Sequence, residues 1–170
     1  MKQPYQPGPK LPLLQPYPLV RETLSNGIEI DTFTTDSGIT YKLFFDSLAR
    51  YIPEESFADD AQQLVFDTAS ADWRKGADPR IAYTVVTVLK NEFAAQPNLI
   101  LMFNCRTADR LGRMRSITFG RWLAEHGDNY EVVTYRKDDD MSAVVFRRDH
   151  PATVEIRTCF DWIFYHKSDY

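Results

Sequence analysis

Residues 98–104, Asn-Leu-Ile-Leu-Met-Phe-Asn, constrain the fold most tightly, because both alternating faces of this stretch are apolar. A strand with one solvated face alternates apolar with polar residues. A strand covered on both sides reads as a nearly continuous apolar run. The stretch is therefore expected in the interior of a sheet, with layers packed on both faces. Directly after it comes a segment dense in arginine: Arg106, Arg110, Arg113, Arg115 and Arg121, opposed by Asp109. The whole chain carries 20 basic against 24 acidic residues, a net charge of -4, so this segment is a local reversal of sign.

At 170 residues, 44% of them hydrophobic, the chain has the length of one ordinary domain and enough apolar material for a core. The acidic balance argues against a nucleic-acid partner, which needs a basic face to neutralise phosphates. Cys105 and Cys159 are too few for a disulfide framework, and no Cys/His spacing suits a zinc site. No metal is expected. No apolar run approaches the roughly 20 residues a membrane helix needs, and the N-terminus lacks a signal-peptide pattern, so a cytoplasmic, membrane-free protein is expected.

Residues 1–18 contain Pro4, Pro7, Pro9, Pro12, Pro16 and Pro18. Proline fixes φ and removes an amide donor, so this part is expected as an extended arm preceding one α+β domain over residues 19–170. Within the domain, runs at 19–24 and 28–34 flank Asn26-Gly27, a strong hairpin signal. Ser37-Gly38 marks the next turn. Ile39, Tyr41, Leu43 and Phe45 then alternate with Thr40, Lys42, Phe44 and Asp46, completing an antiparallel meander. A short helix is expected at 47–52, an acidic loop at 53–61 and a fourth strand at 62–68. Asp78-Pro79 pairs an N-cap acceptor with proline at the first helical position. Ile81, Val85, Val88, Leu89 and Phe93 follow at helical spacing. After residues 98–104 a second helix is expected at about 109–126, then a hairpin from 130–136 and 142–148, and a last strand-like run within 151–170.

This order of elements resembles the later half of the GNAT acetyltransferases, over roughly residues 27–148 and including the step from His126-Gly127 to Tyr130. The resemblance implies a mixed, mostly antiparallel sheet flanked by two main helices. The chain also resembles an uncharacterised bacterial protein family, a likeness that adds no mechanism. In GNAT enzymes a glycine-rich turn before the first long helix holds the pyrophosphate of acetyl-CoA on bare amides at a helix N-terminus. The corresponding positions here are Arg74, Lys75, Gly76, Ala77, Asp78, Pro79 and Arg80, with one glycine, a proline that lacks an N–H, and an acid where phosphate would sit. Many members also place a tyrosine four residues before the glycine of the second helix. Here that position is Leu123, which cannot donate a proton.

Two functional readings follow. The first is a non-enzymatic interaction module that uses the Arg-rich face, with Arg106, Arg110, Arg113 and Arg115 as candidates for binding a protein partner or a small anionic ligand, since paired guanidinium forks suit carboxylate and phosphate. It needs no cofactor. The alternative is an acyl-CoA-dependent N-acyltransferase with a degenerate turn, in which Arg74, Lys75, Gly76, Ala77 and Arg80 would contact acetyl-CoA. The bland account of the arginines is a solvated helix face neutralised by the acidic stretches at 54–60 and 138–140. Cys105 continues the apolar alternation Leu99, Leu101, Phe103 and reads as a packed thiol rather than a nucleophile. No catalytic residue is assigned, and the first reading is preferred because both departures remove recognisable chemistry.

Overall fold

The computed structural model describes residues 14–68, 78–105, 120, 128–137 and 140–166. Among the described residues, strands β1 (Val20–Thr23), β2 (Glu29–Thr34), β3 (Thr40–Ser47) and β4 (Ala61–Thr68) precede helix α1 (Pro79–Ala95). Strands β5 (Ile100–Cys105), β6 (Tyr130–Lys137) and β7 (Asp140–Arg147) and helix α2 (Thr153–His166) follow. The seven strands form one sheet in the order β1-β2-β3-β4-β5-β7-β6. β4 and β5 run parallel, joined through α1, and the other neighbouring pairs are antiparallel. The protein is thus α+β, with a mixed, mostly antiparallel sheet.

The turns come from local chemistry. Gly27 and Gly38 adopt φ of 83° and 82°, the left-handed region that a Cβ disfavours. The Gly27 amide donates to Leu24 O and the Gly38 amide to Thr35 O, each closing a tight turn with the glycine at its end. β3 then presents Tyr41 and Leu43 to one face, beside Phe33 of β2 and Phe66 of β4, and these aromatics stack in a row with ring centroids 5.2–5.3 Å apart.

Each face of the sheet carries its own core. α1 buries Ile81, Val85, Leu89 and Phe93 at i, i+4 spacing against Phe33, Tyr41, Leu43, Phe66, Leu101 and Phe103. On the opposite face α2 packs Ile156, Cys159 and Phe160 against Ile100, Val144, Phe146 and Tyr135. β5 lies between β4 and β7, with Leu99, Ile100, Leu101 and Phe103 all buried. Residues 98–104 thus occupy the covered interior position that their composition requires.

Two expectations are corrected. The strand-like run in 151–170 is the helix α2, because its buried residues Ile156, Cys159 and Phe160 repeat at i, i+3, i+4, a helical and not a strand period. Its aromatics obscure that period by covering more than one side: Trp162 and Tyr165 are exposed, while Phe164 stacks on Tyr135 at 4.2 Å. The expected helix at 47–52 is a series of turns leading to a single 3-10 turn, Ala58–Asp60. Pro53 excludes helical backbone at the residue before it, and Leu48, Ile52 and Phe57 instead fold under the sheet. The expected helix at about 109–126 lies outside the described residues, apart from Gly120, which is helical.

His150 ties the two halves of the sheet's lower edge together. Its Nδ1 accepts from the Ala152 amide at 3.1 Å, so Nε2 carries the proton and donates to Asn98 O at 3.1 Å. This bond spans 52 residues of sequence and fixes the start of β5 against the turn that follows β7.

Candidate functional site

The parallel pairing of β4 with β5 places both their C-terminal ends, Thr68 and Cys105, at one end of the sheet. The N-terminus of α1 and the Thr35–Gly38 turn lie there too, since Arg80 of α1 reaches Asp36 at 3.0 Å. So do the end of β6 and the start of β7, because Cys105 pairs with Met141 and Lys137 with Asp140. The β4–β5 ladder itself is short: residues 61–63 pair with 100–102 and the register stops there.

This end is where the Arg-rich segment begins. Arg106, Arg110, Arg113 and Arg115 lie outside the described residues, as do Arg74, Lys75, Gly76 and Ala77. What the sheet fixes is the origin of the segment, the C-terminus of β5. The acidic stretch at 54–60 precedes Ala61, which pairs with Ile100 at the other end of β5, five residues away and about 17 Å at the usual strand rise. Asp140, the first residue of β7, is instead beside that origin, since the next residue, Met141, pairs with Cys105. Of the two acidic stretches offered as neutralisers, one is therefore remote from the start of the basic segment. Among the described residues Glu54, Glu55, Asp59 and Asp60 form no ion pair.

The N-terminus of α1 is internally satisfied. Pro79 has no amide hydrogen, the Arg80 amide donates to Asp78 Oδ1 at 2.9 Å, and the Ile81 amide donates to Asp78 O at 3.1 Å. The amides an anion would use at a helix start are therefore taken. Arg80 is engaged as well: its Nε donates to Gln15 O at 2.9 Å, a terminal nitrogen pairs with Asp36, and its guanidinium lies 3.8 Å over the Tyr17 ring. Asp78 also receives a 2.5 Å hydrogen bond from the Tyr17 hydroxyl. Burial, and then that bond to Asp78, push the Tyr17 phenol above its ordinary pKa.

Tyr17 is a member of this network to which the sequence assigned no partner. It falls in the proline-rich stretch, yet it is 4% exposed and belongs to the α1-side core, stacked on Phe33 at 5.8 Å with an interplanar angle of 9°. Its amide donates to Thr84 Oγ1 at 2.9 Å. A tyrosine between two prolines gives no local sign that it will be buried. Next to this network the Tyr41 hydroxyl is buried and, among the described residues, has no hydrogen-bond partner; burial, and then the charge of Asp78, raise its pKa. Replacing Asp78 with Ala is expected to cost about 1–2 kcal/mol, because the helix loses its cap and the Tyr17 hydroxyl its acceptor. Urea denaturation of the two proteins measures this.

A concavity of about 410 Å³ lies between the outer strands and the C-terminal half of α1, lined by Arg21, Glu29, Asp31, Phe45, Gln62 and Glu92 among others. Arg21 binds Asp31 through two 2.8 Å hydrogen bonds and approaches Glu29 and Glu92 at 3.1 and 3.8 Å. The Asp31 bonds, more than the field of the other carboxylates, raise the Arg21 pKa well above its ordinary value. This guanidinium is committed to its own chain and is a tie between β1, β2 and α1.

Among the described residues no cluster of three or more His, Cys, Asp or Glu could hold a metal, and no helix is long and apolar enough to cross a membrane. No protein-family model, no curated protein and no solved structure matches this chain.

Proposed function

We propose that this chain is a GNAT-like domain acting as a non-enzymatic binding module, which engages an acidic protein partner through the Arg106–Arg115 region, numbered 106–115, at the C-terminal end of β5. The observation that carries the reading is the closure of the α1 N-terminus. Its first amides are absent or bonded to Asp78, and Arg80 is held by Gln15, Asp36 and Tyr17. An acyl-CoA pyrophosphate would have to displace a capping carboxylate and compete with that network. The element order β4, α1, β5 and a closing hairpin supports the GNAT-like description. The basic segment starts at this same end, remote from the acidic stretch at 54–60.

The test takes two probes. Acetyl-CoA is expected to leave the melting temperature unchanged, whereas a ligand at a hundredfold excess over its Kd would stabilise the protein by about 2.7 kcal/mol. A shift of that size would establish the acyl-CoA reading in place of this one. Polyglutamate is expected to bind the parent protein and to bind the Arg106→Ala/Arg110→Ala variant more weakly, with the difference shrinking as salt rises, because exposed charge contacts are screened over about 8–10 Å at ordinary ionic strength. A variant that binds equally well, or that melts early with binding unchanged, would remove the basic segment from the reading.

A further inference from the structure

The contacts of residues 15–17 are those of a ligand in a site. The Tyr17 ring stacks on Phe33 and has the Arg80 guanidinium over it. Its hydroxyl donates to Asp78 Oδ2 and accepts from the Asp36 amide at 3.3 Å. Its own amide is read by Thr84 Oγ1, whose hydroxyl is oriented by donating to Arg80 O at 2.7 Å. The carbonyl two residues earlier, Gln15 O, is read by Arg80 Nε. Between them Pro16 has no amide to satisfy, and the Gln15 side chain is exposed. The slot therefore reads the pattern x-Pro-Tyr: a carbonyl, a residue with no donor, then an amide, an aromatic ring and a phenol.

Pro-Tyr occurs twice in this chain, at Pro4-Tyr5 and Pro16-Tyr17, each time preceded by glutamine. Every group the slot reads in Gln15-Pro16-Tyr17 is present in Gln3-Pro4-Tyr5. We propose that the slot formed by Phe33, Asp36, Asp78, Arg80 and Thr84 is a recognition site for an extended x-Pro-Tyr segment, and that Gln3-Pro4-Tyr5 of the same chain is its second ligand, docking when Tyr17 leaves. The same-chain source is favoured over a second copy by effective concentration: a short covalent connection within one chain raises the local concentration of the segment to about millimolar levels, far above that of another molecule at roughly micromolar concentration. The two tyrosines are twelve residues apart, so with Tyr5 docked the residues between it and β1 form a loop, whose closure cost rises only with the logarithm of its length.

The test uses four full-length proteins: the parent, Tyr5→Ala, Tyr17→Ala and the double variant. Tyr5→Ala is expected to melt with the parent. Tyr17→Ala should lose a few degrees, and the double variant clearly more than the two single losses together, because only there is the slot empty. A double variant that melts with Tyr17→Ala overturns the proposal. If alanine at 17 prevents folding, the same comparison is made with Tyr17→Phe, which keeps the ring and loses the bond to Asp78, so that Tyr5 competes for the slot. The site is read separately with a labelled peptide, Leu-Leu-Gln-Pro-Tyr-Pro-Leu, which should bind the most destabilised folded variant and raise its melting temperature, while its Tyr→Ala version should not. Failure of the first peptide to bind, or equal binding of both, refutes recognition. A melting temperature of the Tyr17 single variant that rises with protein concentration, together with dimers in sedimentation, refutes the same-chain source.

Discussion

Above about pH 10 the protein is expected to lose stability steeply. Burial raises the phenol pKa of Tyr17, Tyr41, Tyr130 and Tyr135, and for Tyr135 the bond its hydroxyl donates to Asp161 at 2.8 Å adds to the effect. The unfolded phenols titrate near their ordinary value of about 10, before the folded ones do. In that window the folded state binds more protons than the unfolded state, so stability that is fully present below about pH 10 falls as the pH rises. Each such tyrosine contributes a slope of up to about 1.4 kcal/mol per pH unit while its folded phenol stays neutral and its unfolded one is ionised, and the contributions add. Denaturant midpoints measured from pH 8 to about pH 12, with phenolate absorbance followed in parallel, test this. Tyr135→Phe should make the slope shallower by one group while keeping the stack on Phe164. A flat profile through this range would show that these phenols are not held neutral by the fold.

Leu101→Ala is expected to be the most damaging of single truncations in the sheet, at about 2–5 kcal/mol. Leu101 is fully buried near the start of β5, paired with Gln62 on one side and Val145 on the other, under α1. Neither neighbouring strand can collapse into the space without giving up its own register. Val20→Ala in the edge strand β1, where Val20 is 58% exposed, should stay within about 0.5 kcal/mol and serves as the control. Urea midpoints compare the two. Equal losses would mean that β5 is not the structural centre of the sheet.

Much of the fold is legible without coordinates, because its signals are local. Asn26-Gly27 and Ser37-Gly38 supply left-handed residues where the chain must reverse, Asp78-Pro79 starts a helix, and the two-faced apolar run at 98–104 needs cover on both sides. The misreading of α2 is also a lesson in local signals: its buried positions keep a helical period, and the dense aromatics at 160–165 hid it. The candidate site was less legible. Arg80 looks from sequence like a cation available to an anion, and only its contacts with Gln15, Asp36 and Tyr17 show it to be engaged.

Sequence by itself determined the elements, since capping, turn chemistry and apolar period act between residues a few positions apart. Tertiary structure alone decided which elements meet. The Tyr17–Asp78 bond spans 61 residues and the His150–Asn98 bond 52, and no periodicity within either segment encodes its partner. Such contacts exist because the sheet order brings distant ends together, and a buried polar group is stable only beside a partner that this order happens to supply. That is why the position of β5 could be read from seven residues, while the fate of one tyrosine among six prolines could not.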